Sequence, residues 1–306
     1  MDGEAEAQQH ARVVARAGLF YALAAHTWWG LIPVYFKALG KVPPAEVLAH
    51  RILWSLAFLI TLIGAGRRFA ELKGALRSSR TLLTLVATSL LVGANWYLFI
   101  FAIARGELLE ASLGYFINPL VNVLFGFVFL GERLRRLQTA SVLLAAVAVV
   151  WLTLRYGGVP WIALVLAVTF GFYTLLRKTA RIGTLEGLTI ETGILAPIAA
   201  FYLFGLPASA LRSSSLATGI MLVGVGVVTT LPLLWFTAAA RRLRLGTLGV
   251  LQYISPSMQF ILAVVAFGEP FTPAHVVTFR LIWSALALYS FDALRTLDKP
   301  APQVGS

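Results

Sequence analysis

The chain has 306 residues, of which 59% are hydrophobic and only 12% charged, and its net charge is +12. Soluble domains average about 25% charged residues, and the basic residues here sit between apolar runs rather than along one soluble face, so a soluble enzyme or a nucleic-acid binder is excluded in favour of a membrane protein. There is no cysteine, which removes disulfides, thiolate chemistry and Cys-based metal sites.

In chain order, residues 1–16 are polar, acidic before basic, and lack the charge order of a signal peptide. They read as a cytoplasmic N-terminal tail. A spanning helix needs about 20 mostly apolar residues. Ten segments meet that description: 17–37, 44–64, 81–104, 109–130, 136–154, 160–177, 186–205, 217–240, 246–267 and 273–294. The fold class is therefore all-α integral membrane. Pro43-Pro44 opens the second segment, and Pro160 and Pro273 open the sixth and tenth, where proline at a first turn is tolerated. Residues 296–306 read as a disordered cytoplasmic tail.

Charge orients the chain. With a cytoplasmic N-terminus, the inside connections carry 18 Lys and Arg and the outside connections 5. That asymmetry is the positive-inside signal, it checks the count of segments, and it places both termini in the cytoplasm.

Residues 111–132 and 247–269 are close relatives. Asn118-Pro119 aligns with Ser255-Pro256, and Gly131-Glu132 with Gly268-Glu269, each 137 positions apart. The fourth segment thus matches the ninth, and the repeat unit is five helices: 17–155 and 156–295. An odd number per unit forces the two halves into inverted topology, a signature of secondary transporters with a site near the midplane between halves.

Polar residues within spans are the candidate site, because burying them in lipid is costly. Arg51 and His50 lie roughly 9–10 Å in from the end of the second segment, at 1.5 Å per residue. Arg51 is a candidate cation for an anionic or zwitterionic substrate, against the alternative of an interfacial arginine that snorkels. His50 and Glu191 are the candidates for proton coupling; Glu191 is also read as a helix-start acid near Arg181. Asn95, Trp96 and Tyr115 fall in the third and fourth segments. Asn118 and Asn122 share a helix face, as do Gln252 and Gln259, with Tyr253 beside them. Such amides either hydrogen-bond a substrate or join helices. Pro119 and Pro256 are candidate hinges, each freeing a carbonyl one turn earlier. Arg280 lies within the tenth segment with no assigned role. Glu132 reads as a local ion pair with Arg133, Arg135 and Arg136, and both Glu132 and Glu269 as caps for the helices that follow them. No GxSxG, P-loop, HExxH or GxGxxG motif occurs, so neither an enzyme nor an ATP-driven step is expected, and no metal or cofactor.

The blocks Pro33-Val34-Tyr35-Phe36-Lys37, Leu48-Ala49-His50-Arg51-Ile52-Leu53-Trp54-Ser55, Asn95-Trp96-Tyr97-Leu98 and residues 110–120 resemble the RarD branch of the EamA-type transporters, in the drug/metabolite transporter superfamily. So do residues 249–256 and Gly268-Glu269-Pro270-Phe271. The resemblance covers about residues 17 to 295. It implies two inverted EamA units around a central cavity, in a permease of the bacterial inner membrane that exports small metabolites or drugs. RarD proteins commonly carry the label "chloramphenicol-sensitive protein", which describes a phenotype. The expected function is a secondary active permease for small amphipathic or zwitterionic molecules, working by alternating access, with the lipid bilayer and a small-molecule substrate as its partners. A non-transporting membrane scaffold or sensor partner is the alternative. Substrate, direction, coupling ion and oligomeric state (monomer included) are left open.

Overall fold

A computed structural model describes residues 2–156, 158–180, 182–243 and 245–297. Every regular element among them is helical. The elements are α1 (Asp2–Ala38), α2 (Pro44–Ala65), α3 (Phe69–Leu76), α4 (Ser79–Arg105), α5 (Leu108–Leu130), α6 (Arg136–Tyr156), α7 (Trp161–Thr179), α8 (Thr184–Phe204), α9 (Ala210–Ser213), α10 (Leu216–Ala240), α11 (Leu245–Leu251), α12 (Ile254–Ile261), which runs into a π turn over Leu262–Ala266, and α13 (Pro273–Leu297). α1 begins at Asp2, so the residues read as an N-terminal tail extend the first helix. The tail after Asp298 lies outside the described residues.

Among the described residues, eight helices are long and apolar enough to cross a membrane: α2, α4, α5, α6, α7, α8, α10 and α13. The first and ninth segments expected from the sequence fall outside that set for different reasons. α1 carries His26-Thr27-Trp28-Trp29-Gly30 in its apolar stretch, which dilutes its hydropathy. The ninth segment is broken at Gln252-Tyr253 into α11 and α12. The break falls four residues before Pro256, where a proline ring displaces the carbonyl it cannot bond. α5, by contrast, runs unbroken through Pro119.

Sequence punctuation explains the ends. Ser78 and Ser215 accept from the amides of Thr81 and Thr218, both at 3.3 Å, and so cap α4 and α10. Gly106 takes φ 75 where α4 turns into α5.

α7 packs on α4 and α5; α1 packs on α10 and α12. α2 lies against α8 and α10, α8 also meets α4, and α6 pairs with α13. A continuous core runs from Ile32 and Phe36 of α1 through Phe116 of α5 to Phe279 of α13. The outer surface is apolar: Phe201 is 83% exposed and Leu154 76%. Large exposed side chains of this kind fit a lipid environment, where burial against protein is not required. Small residues set the closest crossings. A Cβ on Gly114 would fall 2.6 Å from the carbonyl oxygen of Ala163, so α5 and α7 touch backbone to backbone. A Cβ on Gly226 would overlap the backbone of Trp54 and Ser55, so α10 does the same on α2.

Candidate functional site

The eighth residue of α2 is Arg51, and its guanidinium lies over the Trp96 ring of α4 at 4.1 Å from the centroid. Planar stacking of this kind suits Arg better than Lys. Arg51 is half-buried, and among the described residues no carboxylate lies within ion-pair distance of it. Beside it, the Tyr115 hydroxyl of α5 donates to Oδ1 of Asn95 at 3.4 Å. Nδ2 of Asn95 donates to the Leu166 carbonyl and to Oγ1 of Thr169, both at 3.0 Å, on α7. Arg51, Asn95, Trp96 and Tyr115 are thus brought together from three helices, with Thr169 added from a fourth.

One turn further along α5, Nδ2 of Asn118 donates to the Ala167 carbonyl at 3.2 Å, and Asn122 donates to Oδ1 of Asn118 at 3.0 Å. The donors of Asn95 and Asn118 are therefore committed to α7, which is the helix-joining use of such amides. The other half repeats the pattern. Ser255 donates to the His26 carbonyl at 2.9 Å, and Gln259 donates to the Trp29 carbonyl at 3.3 Å, which ties α12 to α1. Oε1 of Gln259 is buried without a hydrogen-bond partner. Gln252 sits at the helix break, half-buried, and the Tyr253 ring stacks on Phe116 at 6.5 Å and 17°.

His50 and Arg51 part company. His50 is buried and lies 3.9 Å from the Glu46 carboxylate, one turn away on α2. Glu46 in turn accepts from the Ser209 hydroxyl at 2.8 Å and from the Ala210 amide at 2.6 Å, capping α9.

Glu191 has no exposed surface. Its carboxylate accepts from the Thr88 hydroxyl at 2.6 Å and the Tyr173 hydroxyl at 3.4 Å, and faces Nε of Arg177 at 3.6 Å. Arg181, its neighbour in the sequence reading, lies outside the described residues. Arg177 belongs by sequence to a basic connection, yet it folds back across α8 into a slot open only because position 187 is glycine: a Cβ there would meet the guanidinium. Arg280 is exposed on the outer face of α13.

The acids at the helix ends also differ from the sequence expectation. Glu132 pairs with Lys178 of α7 at 3.3 Å rather than with the neighbouring arginines. Glu269 caps α5, accepting from the Leu108 and Leu109 amides at 2.9 and 2.7 Å, and not the helix that follows it. Glu110 reaches from α5 to the Ile162 amide of α7 at 2.8 Å. His26, Arg177, Glu46 and Glu110 were not singled out from sequence; a polar residue inside a span (His26) and an acid in a first turn (Glu46, Glu110) were the available signals. Among the described residues no group of three or more His, Cys, Asp or Glu could hold a metal.

The end of the bundle where α4 turns into α5 is thus stapled by Glu46, Glu110 and Glu269. At the opposite end a cleft opens between α2, α8 and α10, lined by Leu59, Leu188, Thr230, Leu233 and Arg241 among others.

The chain is 49% identical over 284 residues to an uncharacterized transporter of Vibrio cholerae, covering 92% of this chain and 94% of that one. It is 46% identical over 287 residues to protein RarD of Salmonella typhimurium, covering 93% and 98%. It belongs to the RarD branch of the EamA-like transporter family. The EamA-like transporter model itself matches residues 16–154. The chloramphenicol-sensitive protein RarD of Pseudomonas aeruginosa is 33% identical over 297 residues, covering 94% and 98%. A crystal structure of a protein 22% identical in sequence superposes with a TM-score of 0.59 over 92% of this chain and 99% of its own, which shows a shared fold. This RarD-branch chain is a multi-span helical membrane transporter.

Proposed function

We propose that the protein is a secondary active permease of the bacterial inner membrane, with ten membrane segments in two inverted five-helix repeats and both termini cytoplasmic. It exports small amphipathic or zwitterionic metabolites or drugs by alternating access.

Paired features support the inverted repeat. Glu46 and Glu186 are each the third residue of their helices, α2 and α8, and Arg51 and Glu191 each the eighth. Asn118 and Ser255 bond the carbonyls of α7 and α1, in each case the first helix of the opposite half. The packing of α5 on α7 and of α12 on α1 has the same form.

The observation that carries the substrate class is Arg51 over Trp96, a cation with no carboxylate partner beside the hydroxyl of Tyr115. A half-buried, unpaired arginine favours an anionic group, and an aromatic face favours an apolar body. Glu191 is the candidate for proton coupling, since it is fully buried and held by Thr88, Tyr173 and Arg177. His50 shares that candidacy less directly, because it faces Glu46. Pro256, at the broken helix, and Pro119 are the proposed hinges.

A thermal-shift screen of purified protein against small carboxylates, zwitterions and uncharged amphipaths tests the class, because ligands that bind the folded state raise its melting point. Carboxylate or zwitterion hits that vanish in Arg51→Gln are expected; hits unchanged by that substitution remove Arg51 from the site. Proteoliposome transport indifferent to a proton gradient rules out proton coupling.

A further inference from the structure

The two halves end corresponding spans with one and the same turn. Gly131 and Gly268 both take φ 67. The amides that follow reach back six residues in each case, Glu132 to the Gly126 carbonyl at 3.1 Å and Glu269 to the Ala263 carbonyl at 2.9 Å. Each bond is one residue wider than the six-to-one bond that usually accompanies a helix ended by a left-handed glycine, and the two halves share that departure. From this common backbone the two side chains go to opposite fates.

Glu269 is 8% exposed, and its two carboxylate oxygens take the first two amides of α5, in the other half of the chain. Those amides have no partner within α5, and the positive end of the helix favours an anion there. Glu132 has a side chain 56% exposed. Its carboxylate lies back over its own helix, where a Cβ on Gly126 would fall 2.5 Å from Oε2, and its ion pair is with the exposed Lys178. Position 263, equivalent to Gly126, is alanine. The first half therefore has a parking place for its acid that the second half lacks.

The surroundings agree. The end closed by Glu269 is also stapled by Glu46 on Ala210 and Glu110 on Ile162, while the cleft between α2, α8 and α10 opens at the other end. We infer that Glu269 is a releasable latch that holds one end of the transporter shut, and that Glu132 is the same device in its released position at the opposite end. This rests on the alternating-access mechanism proposed above. The cycle exchanges the two states: Glu269 leaves Leu108 and Leu109 as Glu132 leaves Gly126 and engages the other half.

Because the chain has no cysteine, single reporters read the two ends without knowledge of the substrate. Ser112→Cys lies one turn beyond the latched amides, with no exposed surface. Thr237→Cys lines the open cleft and is only half-buried. In the otherwise unmodified protein, a water-soluble maleimide is expected to label Thr237→Cys readily and Ser112→Cys slowly. Adding Glu269→Gln raises the Ser112→Cys rate about tenfold, the factor that accompanies loss of one good helix cap, and lowers the Thr237→Cys rate. Glu269→Asp, which keeps the charge with a shorter reach, moves both rates less in the same directions. Glu132→Gln lowers the Ser112→Cys rate, and Gly126→Ala, which evicts the parked carboxylate with Glu269 intact, raises it. Equal acceleration at both reporters in Glu269→Gln means general loosening and overturns the latch. Labelling at Thr237→Cys that is indifferent to Glu269 overturns the latch and leaves the transport mechanism standing. Absence of labelling at both reporters in every background overturns both.

Discussion

Gly114→Ala is expected to destabilise the protein although alanine is the better helix former. The new Cβ would lie 2.6 Å from the Ala163 carbonyl oxygen and 3.0 Å from its Cα, against an ordinary contact of 3.4 Å or more. Both atoms belong to backbone, so no rotamer change relieves the overlap, and α5 and α7 must separate by about 0.8 Å, the difference between 2.6 and 3.4 Å. Overpacking of this kind costs about 1–3 kcal/mol. The Asn118 bond to the Ala167 carbonyl, one turn away and already 3.2 Å long, stretches out of range with the separation, adding about 1 kcal/mol. The gain in helix propensity offsets about 1 kcal/mol. The net is a loss of about 1–3 kcal/mol. Gly193→Ala is the control: the nearest atom to its Cβ is Cδ1 of Leu56 at 3.9 Å, so the propensity gain of up to about 1 kcal/mol stands unopposed. Thermal unfolding of the two variants and the parent in one detergent reads both signs. A Gly114→Ala midpoint at or above the parent's, or both variants shifting the same way, refutes the backbone contact.

Removing one member of the buried Arg177–Glu191 pair leaves an uncompensated charge, so Glu191→Leu alone is expected to cost about 3–5 kcal/mol, while Glu191→Leu with Arg177→Met recovers most of it; unfolding midpoints in which the double variant is no better than the single contradict the pairing. Arg51→Lys keeps the charge but loses the planar stack on Trp96, and a drop in affinity of about tenfold for the ligands found by thermal shift is expected from a lost cation–π and bidentate geometry, read by titration of each ligand. Lys178→Ala, at an exposed pair, is expected to change stability by less than about 1 kcal/mol, checked in the same unfolding assay. Pro256→Ala restores an amide that can bond the Gln252 carbonyl and mend the broken helix; slower transport in proteoliposomes with an unchanged or higher melting point is the expected outcome.

Much of this molecule follows from local pattern. Apolar runs of spanning length mark the helices, and the Asn118–Asn122 spacing puts two amides on one face, where they do bond each other. The sites that escaped are those in which a side chain serves a distant helix. Nothing near Glu269 in sequence points to Leu108 and Leu109, because an unsatisfied helix start advertises a need and not which acceptor meets it. Arg177 counts as a surface charge by position; only the missing Cβ of Gly187, on another helix, lets it turn inward. The ninth segment was legible as apolar and proline-bearing, but whether a proline bends or breaks a helix depends on what surrounds the freed carbonyl, and Pro119 and Pro256 come out differently.

The crossing of α10 on α2 has a mechanical consequence. Gly226 is near the middle of Leu216–Ala240, and Ser55 near the middle of Pro44–Ala65. Two helices that touch backbone to backbone at their midpoints cannot slide apart or compress there, but they can tilt. Each arm is about 15 Å long at 1.5 Å per residue, so a tilt of about 10° swings the tips by roughly 3 Å in opposite senses. That is about the length of one hydrogen bond. A glycine at a fulcrum thus lets a small rotation, with the core contact intact, part a carboxylate from an amide at one face of the membrane while bringing another pair within reach at the other.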